Sequence, residues 1–121
     1  MPRDYSERRH MRTSSAAEEV LCEWTDDLAF GGIGALPVAL AAIARAAGGA
    51  TLTLRVRIGG SPGSADGAIG AEVSTASSSQ AQVLGAGSVT NPAAQTLIKL
   101  TGFISNPAQS ADITGAVVRV G

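Results

Sequence analysis

Few side chains in this 121-residue chain could carry out chemistry. His10 is the single histidine and would have to be the base of any Ser-His-Asp or Cys-His arrangement. It lies among Arg8, Arg9 and Arg12 in a stretch without apolar periodicity, where nothing would hold the geometry that nucleophilic catalysis needs. We therefore read it as a solvated or docking residue. Cys22 is also alone, which excludes an intrachain disulfide and a cysteine-rich metal site. It falls in phase with Val20 and Trp24, as a small core hydrophobe would. Glu23, Asp26 and Asp27 could offer oxygen ligands to a hard cation, but no Asp-x-Asp-x-Asp-Gly loop frames them, and a solvated acidic edge accounts for them better. We expect no catalytic residues, no cofactor site and no metal site.

Two glycine-rich stretches invite a phosphate-binding reading. Gly59-Gly60-Ser61-Pro62-Gly63 lacks the Gly-Lys-Ser/Thr ending of a P-loop, and Gly31-Gly32-Ile33-Gly34 lacks the strand-to-helix setting of a dinucleotide fingerprint. Both read as loops that need positive φ. Arg55 and Arg57 share one face of a strand and could hold a partner's carboxylates or phosphates. A solvated face, or pairing with Glu19 and Glu23 of a neighbouring strand, is the simpler account. Arg3, Arg8, Arg9 and Arg12, with Tyr5 among them, form a weakly basic segment offset by Asp4 and Glu7. Four arginines so offset would bind nucleic acid only weakly, and a protein surface is the better target.

The elements that would position these residues follow from hydrophobic period. Residues 1–17 show none and read as an extended N-terminal arm, ordered only where it docks; residues 18–121 read as one domain. Thr51 to Ile58 alternates strictly, with Leu52, Leu54, Val56 and Ile58 on one side and Thr51, Thr53, Arg55 and Arg57 on the other. Only a strand explains that pattern. Glu19 to Trp24 alternates in the same way. Residues 36–47 are ambiguous: alanine content, Pro37 and Gly48 favour a helix, whereas Val38, Leu40, Ala42 and Ala44 alternate. We expect a strand there, followed at Gly48-Gly49 by a hairpin. Further strands are expected near 68–75, 80–89, 95–105 and 111–120, separated by Ser77-Ser78-Ser79, Asn91-Pro92 and Asn106-Pro107. Seven to eight strands at this spacing predict an all-β antiparallel sandwich of jelly-roll type.

Composition agrees with such a fold and adds a constraint. Hydrophobic residues make up 45%, but only four are aromatic, so the core is thin and stabilises weakly by itself. Subunit contacts are one way to reinforce it. Net charge is −1, and Ile33–Ile43 is too short to span a bilayer. The first twenty residues contain no apolar signal core. In the strand near 95–105, Leu97 and Phe103 fall out of phase with Ile98, Leu100 and Ile104, so apolar groups lie on both faces. A strand of that kind needs cover on both sides, which a subunit interface would supply.

The stretch Thr51-Leu-Thr-Leu-Arg-Val-Arg-Ile-Gly-Gly-Ser-Pro-Gly-Ser-Ala-Asp-Gly67 resembles small structural proteins of tailed bacteriophages and phage-like particles, in which a jelly-roll strand runs into a Gly-Gly-Thr/Ser-Pro-Gly loop. Gln95-Thr-Leu-Ile-Lys-Leu-Thr-Gly102 and Gly115-Ala-Val-Val-Arg-Val120 are similar too, so the likeness covers about residues 36–121. It implies a non-enzymatic component of head or tail, often trimeric: a decoration, spike or fibre protein. The implied partners are copies of the chain itself and other particle proteins, with no nucleic acid and no membrane. The implied location is the virion or particle, after synthesis in the bacterial cytoplasm. On this reading Arg3, Tyr5, Arg8, Arg9 and Arg12 dock the arm, and Leu97, Phe103, Arg55 and Arg57 contribute to a subunit interface. The alternative is a receptor- or glycan-binding module of the same fold, which the few aromatics (Tyr5, Phe30 and Phe103) serve poorly.

Overall fold

The computed structural model describes residues 3–26, 35–90 and 96–121, and these contain no helix. Nine strands run in the order β1 (Arg3–Glu7), β2 (Met11–Thr13), β3 (Glu19–Asp26), β4 (Ala35–Ala46), β5 (Leu52–Ile58), β6 (Ala68–Thr75), β7 (Ala81–Thr90), β8 (Thr96–Ile104) and β9 (Ala111–Val120). They form two sheets. The larger is ordered β1-β9-β4-β7, with β2 also paired to β9; the smaller is ordered β3-β8-β5-β6. Every pairing is antiparallel. Most connections pass from one sheet to the other, as in a jelly roll.

The expected alternation is what the core uses. Leu52, Leu54, Val56 and Ile58 of β5 face Val38, Leu40, Ala42 and Ala44 of β4, joined by Ile98, Leu100 and Ile104 of β8 and Ile113, Val118 and Val120 of β9; all are at most 5% exposed. The helix-prone run 36–47 is strand, as expected. Its every second side chain is buried, and β4 lies hydrogen-bonded between β7 and β9. Pro37 sits near the start of that strand, where a missing N–H costs least. Gly48 and Gly49 have φ of 61° and 78°, but they do not close a hairpin. β4 and β5 belong to different sheets, so this glycine pair turns a corner between layers.

Two further findings differ from the pattern-based expectation. Residues 3–7 and 11–13 are extended, and they dock on their own chain, β1 along Ala116–Val120 and β2 along Ala111–Ile113 of β9. The register Arg3↔Val120 to Glu7↔Ala116 turns Tyr5 inward onto Trp24, with ring centroids 5.9 Å apart. In β3 a bulge at Leu21 breaks the phase between Val20 and Cys22. Leu21, Cys22 and Trp24 then pack against the core while Glu19 and Glu23 stay exposed. At the other side of the sandwich, β6 and β7 bring backbone against backbone. A Cβ at Gly87 would lie 2.1 Å from the Gly70 carbonyl oxygen, so glycine closes that edge. The segment Gly31-Gly32-Ile33-Gly34, Asp27, Phe30 and the Asn91-Pro92 turn lie outside the described residues.

Candidate functional site

Because the even-numbered side chains of β8 are committed to the core, its odd-numbered ones, Leu97, Lys99, Thr101 and Phe103, project from the outer face of the smaller sheet. Arg55 and Arg57 of β5 stand beside them, paired in register with Thr101 and Lys99. The partners of these arginines are Glu18 and Glu72, and not Glu19 or Glu23 as the spacing suggests. The reason is strand order: β8 separates β5 from β3, so carboxylates on β3 itself lie one strand too far away. Glu18, just ahead of β3, reaches across instead. Arg57 donates to both of its oxygens (Nε to Oε2 at 2.6 Å, Nη2 to Oε1 at 2.8 Å), Arg55 donates from Nη1 at 2.8 Å, and the Thr101 hydroxyl donates at 2.5 Å. Hydrogen bonds from Arg57 above all, against the opposing effect of burial, hold the Glu18 carboxyl at about 2. Arg55 also donates to Glu72 at 2.7 Å and lies over the Phe103 ring at 5.1 Å.

Lys99 was not singled out by its sequence context, yet its side chain is 0% exposed. The loop 59–67 between β5 and β6 folds back over the outer face and encloses it. The ammonium donates to the carbonyls of Ser61 and Ser64 at 2.7 and 2.6 Å and to Asp66 Oδ1 at 2.6 Å. The loop can adopt this shape because Gly59, Gly60, Gly63 and Gly67 all take positive φ. Further ties come from Ser61 N–H to Asp66 Oδ1, from Gly63 N–H to Glu23 and from Arg57 to the Gly67 carbonyl. Thus part of the second cover that Leu97 and Phe103 call for is supplied by the chain's own loop. Leu97 and Phe103, to either side, remain half-buried. The sequence signal for Lys99 was there to read: a lone lysine within a strand apolar on both faces needs a polar cap.

The residues of the N-terminal segment go to different partners. Arg3 and Tyr5 both donate to Asp26, at 2.6 and 2.7 Å, and burial, followed by the bond to Asp26, pushes the Tyr5 hydroxyl up to about 12. His10 and Arg12 converge with Arg45 on Asp112, whose side chain is 6% exposed. Burial alone would raise that carboxyl, but Arg12, His10 and Arg45 together hold it below its ordinary range. Arg9 reaches the Leu21 carbonyl at 3.3 Å. Arg8 is exposed and makes no ion pair among the described residues. Of the acidic trio, Asp26 is taken up by Arg3 and Tyr5, Glu23 accepts from Gly63, and Asp27 lies outside the described residues. Among the described residues no three metal-ligating side chains come together. Burial pushes the Cys22 thiol up to about 12, in keeping with a packing role.

Neither a known protein family nor a curated protein matches this chain. Solved structures do match, and they agree with a jelly-roll-like β-sandwich fold. The crystal structure of an infectious bursal disease virus VP2 subviral particle superposes on 98% of this chain, with a TM-score of 0.59 and 16% identity. The structure of infectious bursal disease virus Gx strain superposes on 100%, with a TM-score of 0.55 and 15% identity. The match covers 32% of each of those chains, so this chain spans about a third of their length.

Proposed function

We propose that this chain is a non-enzymatic structural protein of a virus or phage-like particle, working as a homo-oligomer. The observation that carries the reading is the two-sheet, nine-strand sandwich and its superposition, over nearly the whole chain, on the infectious bursal disease virus proteins. The finer assignment, a decoration or attachment protein on the head or tail of a bacteriophage and a trimer, is supported by the likeness of residues 51–67, 95–102 and 115–120 to phage structural proteins. In this role Leu97 and Phe103, with Arg55 beside Phe103, offer an apolar contact on the outer face of the smaller sheet. Arg8, Arg9 and Arg12 are the exposed arginines of the N-terminal segment that a neighbouring particle protein can reach. Arg3 and Tyr5 fix that segment to the sandwich. The test is sedimentation velocity of the purified chain, paired with a density map of particles that contain it. Self-association and a defined position in the particle are expected. A chain that stays monomeric at high concentration and is missing from particles refutes the proposal.

A further inference from the structure

On the outer face of the larger sheet, the odd-numbered residues of β4 and their partners on β7 and β9 form an apolar surface exposed to solvent. Leu84, Ile43 and Val117 are 67%, 48% and 43% exposed. Ala41 lies between Leu84 and Val117, Ala39 and Ala86 form the next row, and a shallow depression of about 510 Å³ runs beside Ile43, Gly115 and Val117. Large apolar side chains grouped on one flat face, with charges at its rim, mark an interaction surface. Three strands of ten to twelve residues about 4.8 Å apart, with the five-residue β1 at their edge, present roughly 550 Å². Two such faces bury about 1,100 Å², just above the roughly 1,000 Å² that a specific contact needs.

We infer that this face is a contact between two copies of the chain, stacked sheet on sheet about a two-fold axis that runs across the strands along the row Leu84–Ala41–Val117. The inference rests on the homo-oligomer reading above and names its surface. Register supports this axis. Leu84 and Val117 both align with Ala41, so each meets its own counterpart in the second copy. The row on one side, Gln82–Ile43–Gly115, then meets the row on the other, Ala86–Ala39–Arg119, placing the bulky Ile43 over the small Ala39. At the sheet edge, Arg8 lies beside Ile43 and Gly115, while Asp4 pairs in register with Arg119. The same rotation brings Arg8, which lacks an ion pair among the described residues, towards Asp4 of the second copy. An axis along the strands would instead set the arginine-rich end around Asp112 against itself.

The test is sedimentation velocity of the full chain and three variants. Leu84→Arg puts an unpaired charge at the centre of the contact and is expected to weaken self-association by about 100-fold. Arg8→Glu is expected to weaken it by roughly tenfold, more at low salt than at high. Ala108→Arg, in the exposed turn between β8 and β9, leaves it unchanged. Circular dichroism checks that each variant folds. A monomeric wild type overturns both this inference and the homo-oligomer reading. A wild-type oligomer that Leu84→Arg leaves intact overturns the inference alone. Should Leu84→Arg fail to fold, Leu84→Cys in a Cys22→Ala background, treated with a short bis-maleimide, decides the matter. A covalent dimer supports the contact, and its absence overturns it.

Discussion

Replacing Lys99 with methionine keeps the apolar stem but removes an ammonium that donates three bonds of 2.6–2.7 Å to the loop 59–67. A hydrogen bond involving a charged donor contributes about 1.5–3 kcal/mol, so three taken singly would suggest a very large loss. Two effects reduce it. Ser61 and Ser64 are exposed, so their carbonyls regain water when the ammonium is gone. Methionine also avoids the desolvation of a fully buried charge, which amounts to several kcal/mol. The remaining ties of the loop, through Glu23, Arg57 and the bond from Gly59 N–H to the Leu97 carbonyl, are unaffected. The net loss expected for Lys99→Met is about 2–3 kcal/mol, which for a domain of this size lowers Tm by roughly 8–12 °C. Urea unfolding followed by circular dichroism measures the first quantity and a thermal scan the second. Faster proteolysis within residues 59–67 should accompany both, because the loop loses its central tether. Asp66→Asn should act in the same direction and more weakly, since the backbone acceptors stay in place. A loss below about 1 kcal/mol with unchanged loop proteolysis would refute the claim that the buried ammonium holds this loop down.

Glu18 sets a second expectation, in the acid range. Its folded value of about 2 lies below the ordinary carboxylate value of 4.5, so it stabilises the fold above that unfolded value, and the stabilisation disappears as pH falls from about 4.5 to 2. After allowance for screening at a partly solvated site, the contribution is about 1–2 kcal/mol. Urea titrations at stepped pH should show that loss in the wild type and a flatter profile in Glu18→Gln. Gly87→Ala tests the closed edge between β6 and β7. Its added methyl would press on the Gly70 carbonyl oxygen, backbone against backbone, so a loss of more than about 2 kcal/mol in urea unfolding is expected.

Seven of the nine strands were legible in the sequence, because burial on one side of a strand leaves a period of two that is a local property; β1 and β2, in a segment without that period, were not. The spans Ala68–Thr75 and Ala111–Val120 were readable, and so were the four inward side chains of β5. Even β4, whose alanines favour a helix, kept that period. Neighbours on both sides, β7 and β9, satisfy its backbone and override the helical preference. What period cannot carry is which strands become neighbours, and the sites depend on that. Strand order made Glu18 the partner of Arg55 and Arg57, brought Arg12 onto Asp112 and laid residues 3–7 along β9. The loop's cover over Lys99 likewise follows from a fold-back between β5 and β6. Such contacts join residues far apart in the chain, each with many polar candidates of equal local merit. Only the lateral order and register of the strands within each sheet select among them, because these fix which side chains share a face and which buried charges must find a partner there.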